Sequence, residues 1–268
     1  MMSIKEDRKK QAILVVSFGT SHAGTRSRTI EAIEQDIQAA FPECPVYRAW
    51  TSRTIISRVR EDGYAIDTVE EALDRMERDG IRRVIIQPTH ILDAKEHKQM
   101  KVIAFSNMNR FEYVAFGTPL LRNHEVELKR VVNAVMETVP GLSDDTALVF
   151  MGHGTTLDDH GVYAALDEQF RKEGHENVFV GIMRDQRELD VLKNRVQEQG
   201  YKKVILAPFL IAAGSHATKD MAGVQDNSWK SQFTMAGMDV TCLMKGLGEY
   251  PSIRRIFVEH AKSRMIHM

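Results

Sequence analysis

Apolar residues gather along this chain in short unbroken runs: "AILVVSF" (12–18), "PVYRAW" (45–50), "RRVIIQP" (82–88) and "FEYVAF" (111–116). Four more follow: "ALVFMG" (147–152), "NVFVGIM" (177–183), "KKVILAPFL" (202–210) and "DVTCLM" (239–244). They are rich in β-branched side chains and do not alternate with polar ones, as expected of strands buried on both faces of a parallel sheet. Between them the apolar period lengthens to that of a helix, in "TRSRTIEAIEQDIQAAF" (25–41), "TVEEALDRMERDG" (68–80) and "HEVELKRVVNAVMETV" (124–139). Further helices are predicted near 161–173, 187–199, 226–236 and 250–265. Strands alternating with helices of this length predict an α/β fold, with parallel sheets covered by helices on both sides.

The pattern also restarts. "RRVIIQPTHI" (82–91) is echoed by "KKVILAPFLI" (202–211), and "SFGTS" (17–21) by "GHGTT" (152–156). "FEYVAFGTPL" and "MDVTCLMKGLG" each precede a helix. The order of these echoes predicts two similar Rossmann-like halves, residues 1–140 and 141–268, joined near the turn-forming "PGLSDD" (140–145).

In such folds ligands bind beyond the carboxyl ends of the strands. Two histidines fall there, both in the second half: His153 in "FMGHGTT" and His216 in "IAAGSHATKD". Glycine neighbours let the backbone come close to a ligand. Imidazole titrates near neutrality and offers a lone pair, so such a pair suits proton transfer or a borderline divalent ion such as cobalt, nickel, iron or zinc. Either histidine alone reads equally well as a hydrogen-bonded turn residue; the matched placement of both favours the metal reading.

Composition narrows the class without adding chemistry. With 36 basic and 37 acidic side chains in 268 residues the net charge is −1, which gives no electrostatic footprint for nucleic acid. The apolar run after the charged start is too short for a membrane span or a signal peptide, so a cytoplasmic protein is expected. Cys44 and Cys242, both in strand-like contexts, make neither a zinc pair nor a disulfide framework. "GTSHAGTR" (19–26) lacks the glycine spacing and lysine of a phosphate loop and reads as a strand-to-helix turn with a capping residue. His90 in "QPTHI" is expected in the core or in orienting a ligand residue from behind, and His175, His260 and His267 in polar or surface helical settings.

Taken together, several stretches resemble one family. They are "LVVSFGTS" (14–21), "YRAWTSRTIISRVR" (47–60), "IDTVEEAL" (66–73), "QPTHI" (87–91), "FMGHGT" (150–155), "YAALD" (163–167), "IAAGSHATKDMAG" (211–223), "DNSW" (226–229), "MAGM" (235–238) and "GLGEYPSIRRIFVEH" (246–260). With them the chain resembles the class II tetrapyrrole chelatases, specifically the anaerobic sirohydrochlorin cobaltochelatases of cobalamin synthesis. The resemblance runs over nearly the whole length. It implies two α/β halves with a tetrapyrrole cleft between them, and a metal chelatase (a lyase) that takes Co(II), or the related Ni(II), Fe(II) or Zn(II), as substrate.

The family's metal-handling set is two histidines and a glutamate. The resemblance carries the histidines to His153, as base and ligand, and His216, as second ligand. The glutamate position falls on Arg184, followed by Asp185. The family's Gly-Glu-Glu-Tyr run reads "DAKEH" (93–97) and keeps only Glu96; a histidine usual soon after "GHGT" is Leu157, with His160 three residues on. Arg53 stands where a glycine is common. Asp185, Glu96 and His160 are therefore the candidates for a third ligand, and Arg184 and Arg53 the candidates for binding the carboxylate fringe of the substrate. Arg184 in a surface salt bridge, with the third ligand missing, is the competing reading. The rival function is a diverged carrier that holds the tetrapyrrole or metal without insertion. The sequence gives no sign of a nucleic-acid or membrane partner and leaves the oligomeric state open.

Overall fold

In the computed structural model, residues 10–139, 141–154, 157–183 and 186–265 are described, without the side chains of 157–160. Four parallel strands make the first sheet: β1 (Gln11–Ser17), β2 (Val46–Trp50), β3 (Arg83–Pro88) and β4 (Tyr113–Phe116), in the order β2-β1-β3-β4. The second sheet repeats the arrangement with β5 (Thr146–Gly152), β6 (Val178–Ile182), β7 (Lys203–Pro208) and β8 (Asp239–Cys242), in the order β6-β5-β7-β8. All seven residues of β1 and of β5 are buried, which is why both runs are apolar without alternation.

The helices are α1 (Ala23–Arg28), α2 (Ile30–Ala40), α3 (Arg53–Glu61), α4 (Val69–Arg78), α5 (Lys95–Ser106), α6 (Glu125–Met136), α7 (Leu157–Lys172), α8 (Gln186–Glu198), α9 (Trp229–Met235) and α10 (Pro251–Lys262). One face of the first sheet (Ala12, Leu14, Val16) packs on Leu73 and Met76 of α4 and Met100 and Ala104 of α5. In the second sheet Ala147, Val149 and Met151 pack on Leu189, Leu192 and Val196 of α8 and on Trp229 and Phe233 of α9. Among the described residues no helix is long and apolar enough to cross a membrane.

The elements depart from expectation in a few places. The helix expected over 25–41 is two, because the backbone leaves helical geometry at Thr29 (φ −119°, ψ −80°), where the amide donates to the Arg26 carbonyl and the hydroxyl to the Thr25 carbonyl at 2.7 Å. Helices α3 and α5 were not anticipated. Only Ile56 and Val59 of α3 are buried, and the buried face of α5 begins with a histidine, His97, followed by Met100 and Ala104. Cys44 lies in a bend before β2, and only Cys242 is in a strand.

The chain divides into two compact units: Met1–Leu120 with Ile253–Met268, and Leu121–Ser252. The boundary expected at residue 140 falls inside the second of these units. Helix α6 belongs to the second unit, where it packs on α7 and Lys129 pairs with Glu173 at 2.9 Å. Helix α10 belongs largely to the first, where Arg254 pairs with Asp36 of α2 at 2.6 Å. The polar segment before β5 is a turn inside the second unit, with the Thr146 amide donating to the Ser143 carbonyl.

Candidate metal centre

His153 follows β5 directly, and its two glycines have a steric cause. A Cβ on Gly152 would stand 2.5 Å from the Tyr163 ring, and one on Gly154 would stand 2.5 Å from the Ile182 side chain. Without them the backbone lies against both neighbours. The His153 amide then donates to the Tyr163 hydroxyl at 3.3 Å, and the Gly152 carbonyl accepts from the Met183 amide at 2.9 Å. Tyr163 is itself buried. The backbone that carries His153 is thus fixed from two sides.

His216 reaches the same place by another route. After Pro208 ends β7, the chain enters a single π-helical turn, Ala217–Met221, anchored by burial of Ala217 and Met221. Such turns are uncommon and cluster at functional sites. His216 stands immediately before it, and its Nδ1 lies 2.6 Å from Oδ2 of Asp220. A carboxylate only accepts, so Nδ1 carries the proton and donates, leaving Nε2 as the nitrogen with a lone pair to offer.

The His153 and His216 rings meet with centroids 4.9 Å apart and planes inclined at 58°. An ion held at about 2.1 Å from one nitrogen of each ring would lie roughly 3.2 Å from each ring centre, so this spacing suits a ligand–metal–ligand angle of about 100°. The pair is half-buried, with the His216 side chain 35% exposed, which keeps it accessible to an entering ion. Among the described residues no three His, Cys, Asp or Glu side chains form a ready metal cage. Asp220 is committed to the outer nitrogen of His216, an orienting contact rather than a third ligand.

The other expected site residues scatter. Glu96 lies in the first turn of α5 and Arg53 begins α3, both in the first unit, whereas the histidine pair belongs to the second. Arg184, Asp185 and the side chain of His160 lie outside the described residues, as does His267. His90 is a core residue: buried two positions past β3, it has Nε2 3.3 Å from the Thr51 hydroxyl and stacks edge-on against His97 at 5.7 Å. Burial pushes His90 down to about 3, with the neighbouring His97 adding to the effect. His260 is buried rather than on the surface, with Nδ1 3.1 Å from the Thr118 carbonyl oxygen, because α10 packs into the first unit. His175 is partly buried beside the Phe170 ring. The turn at 19–26 has no side-chain cap from its N-cap residue His22, although the Thr20 hydroxyl oxygen accepts from the His22 amide.

Sequence reasoning missed Asp220 and Tyr163. The signal for the first was present, since His216 and Asp220 are four residues apart at the start of a turn. Tyr163 opens the family-like stretch "YAALD", but nothing in that stretch names its partner; the folded path of α7 brings its hydroxyl to the His153 amide.

Comparison with known proteins agrees with this architecture. Residues 11–266 match the family described as Cobalt chelatase (CbiK). The chain is 36% identical over 254 residues to the sirohydrochlorin cobaltochelatase of Salmonella typhimurium, covering 94% of this chain and 95% of that protein. It is 32% identical over 254 residues to the sirohydrochlorin cobaltochelatase CbiKC of Nitratidesulfovibrio vulgaris, covering 94% and 89%. Among solved structures, the sirohydrochlorin chelatase SirB of Bacillus subtilis subspecies spizizenii in complex with cobalt superposes with a TM-score of 0.61 at 13% identity, covering 95% of this chain and 94% of that one. That last likeness speaks to the fold alone.

Proposed function

The chain belongs to the cobalt chelatase (CbiK) family, and from that premise we propose that it is a sirohydrochlorin cobaltochelatase in which His153 and His216 handle the cobalt. The observation that carries the site assignment is the meeting of those two rings at 4.9 Å, with His216 held in one tautomer by Asp220. The reaction exchanges two pyrrole N–H protons for one Co(II), so the site has to receive an ion and release two protons. Neutral imidazoles do both kinds of work, since the same lone pair that binds a borderline cation can accept a proton. In this reading His216 presents Nε2 to the ion, and His153 first binds it and then, its lone pair freed as the ion moves into the macrocycle, takes the two pyrrole protons in turn and passes each to solvent. Arg184 and Arg53 receive peripheral carboxylates of the tetrapyrrole, a pairing that suits a guanidinium. The third ligand is one of Asp185, Glu96 and His160. The cation is Co(II), with Ni(II), Fe(II) and Zn(II) as competitors for the same nitrogen donors.

The test follows the tetrapyrrole absorption after Co(II) is added to sirohydrochlorin. Native protein should accelerate the spectral change over the uncatalysed control, and His153→Ala should remove most of that acceleration. An equal rate in the variant would sink the assignment of His153. Tight binding of sirohydrochlorin with no acceleration even in the native protein would favour a carrier instead.

A further inference from the structure

Beyond β3 the first unit holds a second pair of histidines, to which metal insertion gives no role. His90 stands two residues past Pro88, and His97 lies in the first turn of α5, so the end of a strand and the start of a helix carry one ring each. The rings meet edge-on with centroids 5.7 Å apart, and the residues are only 8% and 1% exposed. Three of their four nitrogens, Nδ1 of His90 and both nitrogens of His97, are buried with no hydrogen-bond partner among the described residues. Buried polar atoms nearly always have a partner, and those that lack one call for a water or an ion.

The contacts that do exist sort these nitrogens. A neutral imidazole carries one N–H and one lone pair. Nε2 of His90 lies 3.3 Å from the Thr51 hydroxyl; donating there, it leaves the lone pair on Nδ1. Nε2 of His97 lies 3.7 Å from Oδ1 of Asp93, four residues earlier and half exposed. That distance is too long for a hydrogen bond. It is close to the roughly 3.4 Å that separates two ligands of one tetrahedral ion when each bond is about 2.1 Å. The other oxygen of Asp93 is held by Lys101 Nζ at 3.0 Å, which fixes the carboxylate and keeps Oδ1 for a further partner. A water would account for unpartnered nitrogens, but not for a carboxylate kept at ligand spacing.

We propose that His90, His97 and Asp93 form a second divalent-cation site, built wholly from the first unit and using neither His153 nor His216. The ion takes the lone pairs of His90 Nδ1 and His97 Nε2 together with Asp93 Oδ1. As they stand the three side chains are not a ready cage. An ion at about 2.1 Å from one nitrogen of each ring sets the ring centres about 5.2 Å apart at a tetrahedral angle, so the rings close by about 0.5 Å on binding. Two imidazoles and one carboxylate suit a borderline ion such as Zn(II) or Co(II) over Mg(II) or Ca(II), which favour oxygen ligands alone. The ion's work is to tie the segment after β3 to α5, a structural role that does not depend on what the second unit does.

The experiment uses the full chain carrying His153→Ala and His216→Ala, stripped with a chelator and titrated with Zn(II) and then Co(II). One equivalent of either ion should bind, and saturating Zn(II) should raise the melting temperature by several degrees, as a ligand that binds only the folded chain does. Adding His97→Gln should weaken binding about tenfold or more and abolish the rise. Adding Asp93→Asn, a change at a half-exposed position that leaves the fold intact, should weaken it by a similar factor. His175→Gln, the control, should leave both readouts as they were. Absence of any bound Zn(II) or Co(II) in the His153→Ala, His216→Ala chain would overturn the proposal and leave the rings to a buried water. Binding that Asp93→Asn and His97→Gln leave within twofold would overturn it as well.

Discussion

An imidazole offers a cation only the nitrogen that carries no proton, so the value of His216 as a ligand depends on what holds its other nitrogen. Asp220 does so at 2.6 Å, from within the same π-helical turn. Asp220→Asn replaces an obligate acceptor with a group that can present either an oxygen or an amide, so the tautomer is no longer enforced. Loss of such an outer contact lowers metal affinity by about 10–100-fold. Isothermal titration of Co(II) into Asp220→Asn should show a fall of that size with an unchanged melting temperature, and Asp220→Glu should recover part of it. An unaltered affinity would mean that the contact does not set the tautomer. At this scale the sequence was most informative where chemistry is rare. Two histidines in glycine-bearing loops after apolar strands drew attention to His153 and His216, whose rings the fold brings to 4.9 Å. Asp220 was overlooked because acidic residues are common and its pairing depends on a local π-helical turn that periodicity does not reveal.

The strand-to-loop junction at β5 works because two glycines allow close packing. Gly152→Ala would drive a methyl into the buried Tyr163 ring, which has no room to withdraw. Overpacking of that kind costs about 1–3 kcal/mol, and thermal unfolding should register it as a drop of several degrees. Gly161→Ala is the control. Nothing lies within 4 Å of a Cβ there, and the residue is exposed on α7, so alanine should raise stability by about 0.5–1 kcal/mol. Equal effects of the two substitutions would refute the packing account. The elements themselves were legible where burial is complete. β1 and β5 are buried at every position and were found almost to the residue. Helices α3 and α5 escaped notice because their buried faces are narrow or begin with histidine.

For the whole molecule, the repeat visible in the sequence became two sheets of identical order, yet the compact units do not follow the repeat boundary. Helices α6 and α10 change places relative to a cut at residue 140, and nothing in their amphipathic patterns names the partner each will pack against. The buried His90 also matters at this scale. Folding holds it neutral, pushed down to about 3 from an ordinary value near 6.5, so below pH 6.5 the unfolded chain binds a proton that the folded chain refuses. Its contribution to stability is therefore complete above about pH 6.5 and is lost progressively as pH falls toward 3. By pH 5 the loss is about 2 kcal/mol. Denaturant unfolding at pH 7 and pH 5 should show a smaller acid-induced loss in His90→Gln than in native protein, and an identical loss would exclude His90 as the source.

The account turns on whether an entering cation is held by both imidazoles of the second unit. Anomalous scattering at the cobalt edge, from crystals soaked in Co(II), locates that ion directly. A peak between the His153 and His216 rings, at about 2.1 Å from a nitrogen of each and lost in the His153→Ala, His216→Ala double variant, is the predicted result. Cobalt bound elsewhere while those two rings stand empty would contradict it.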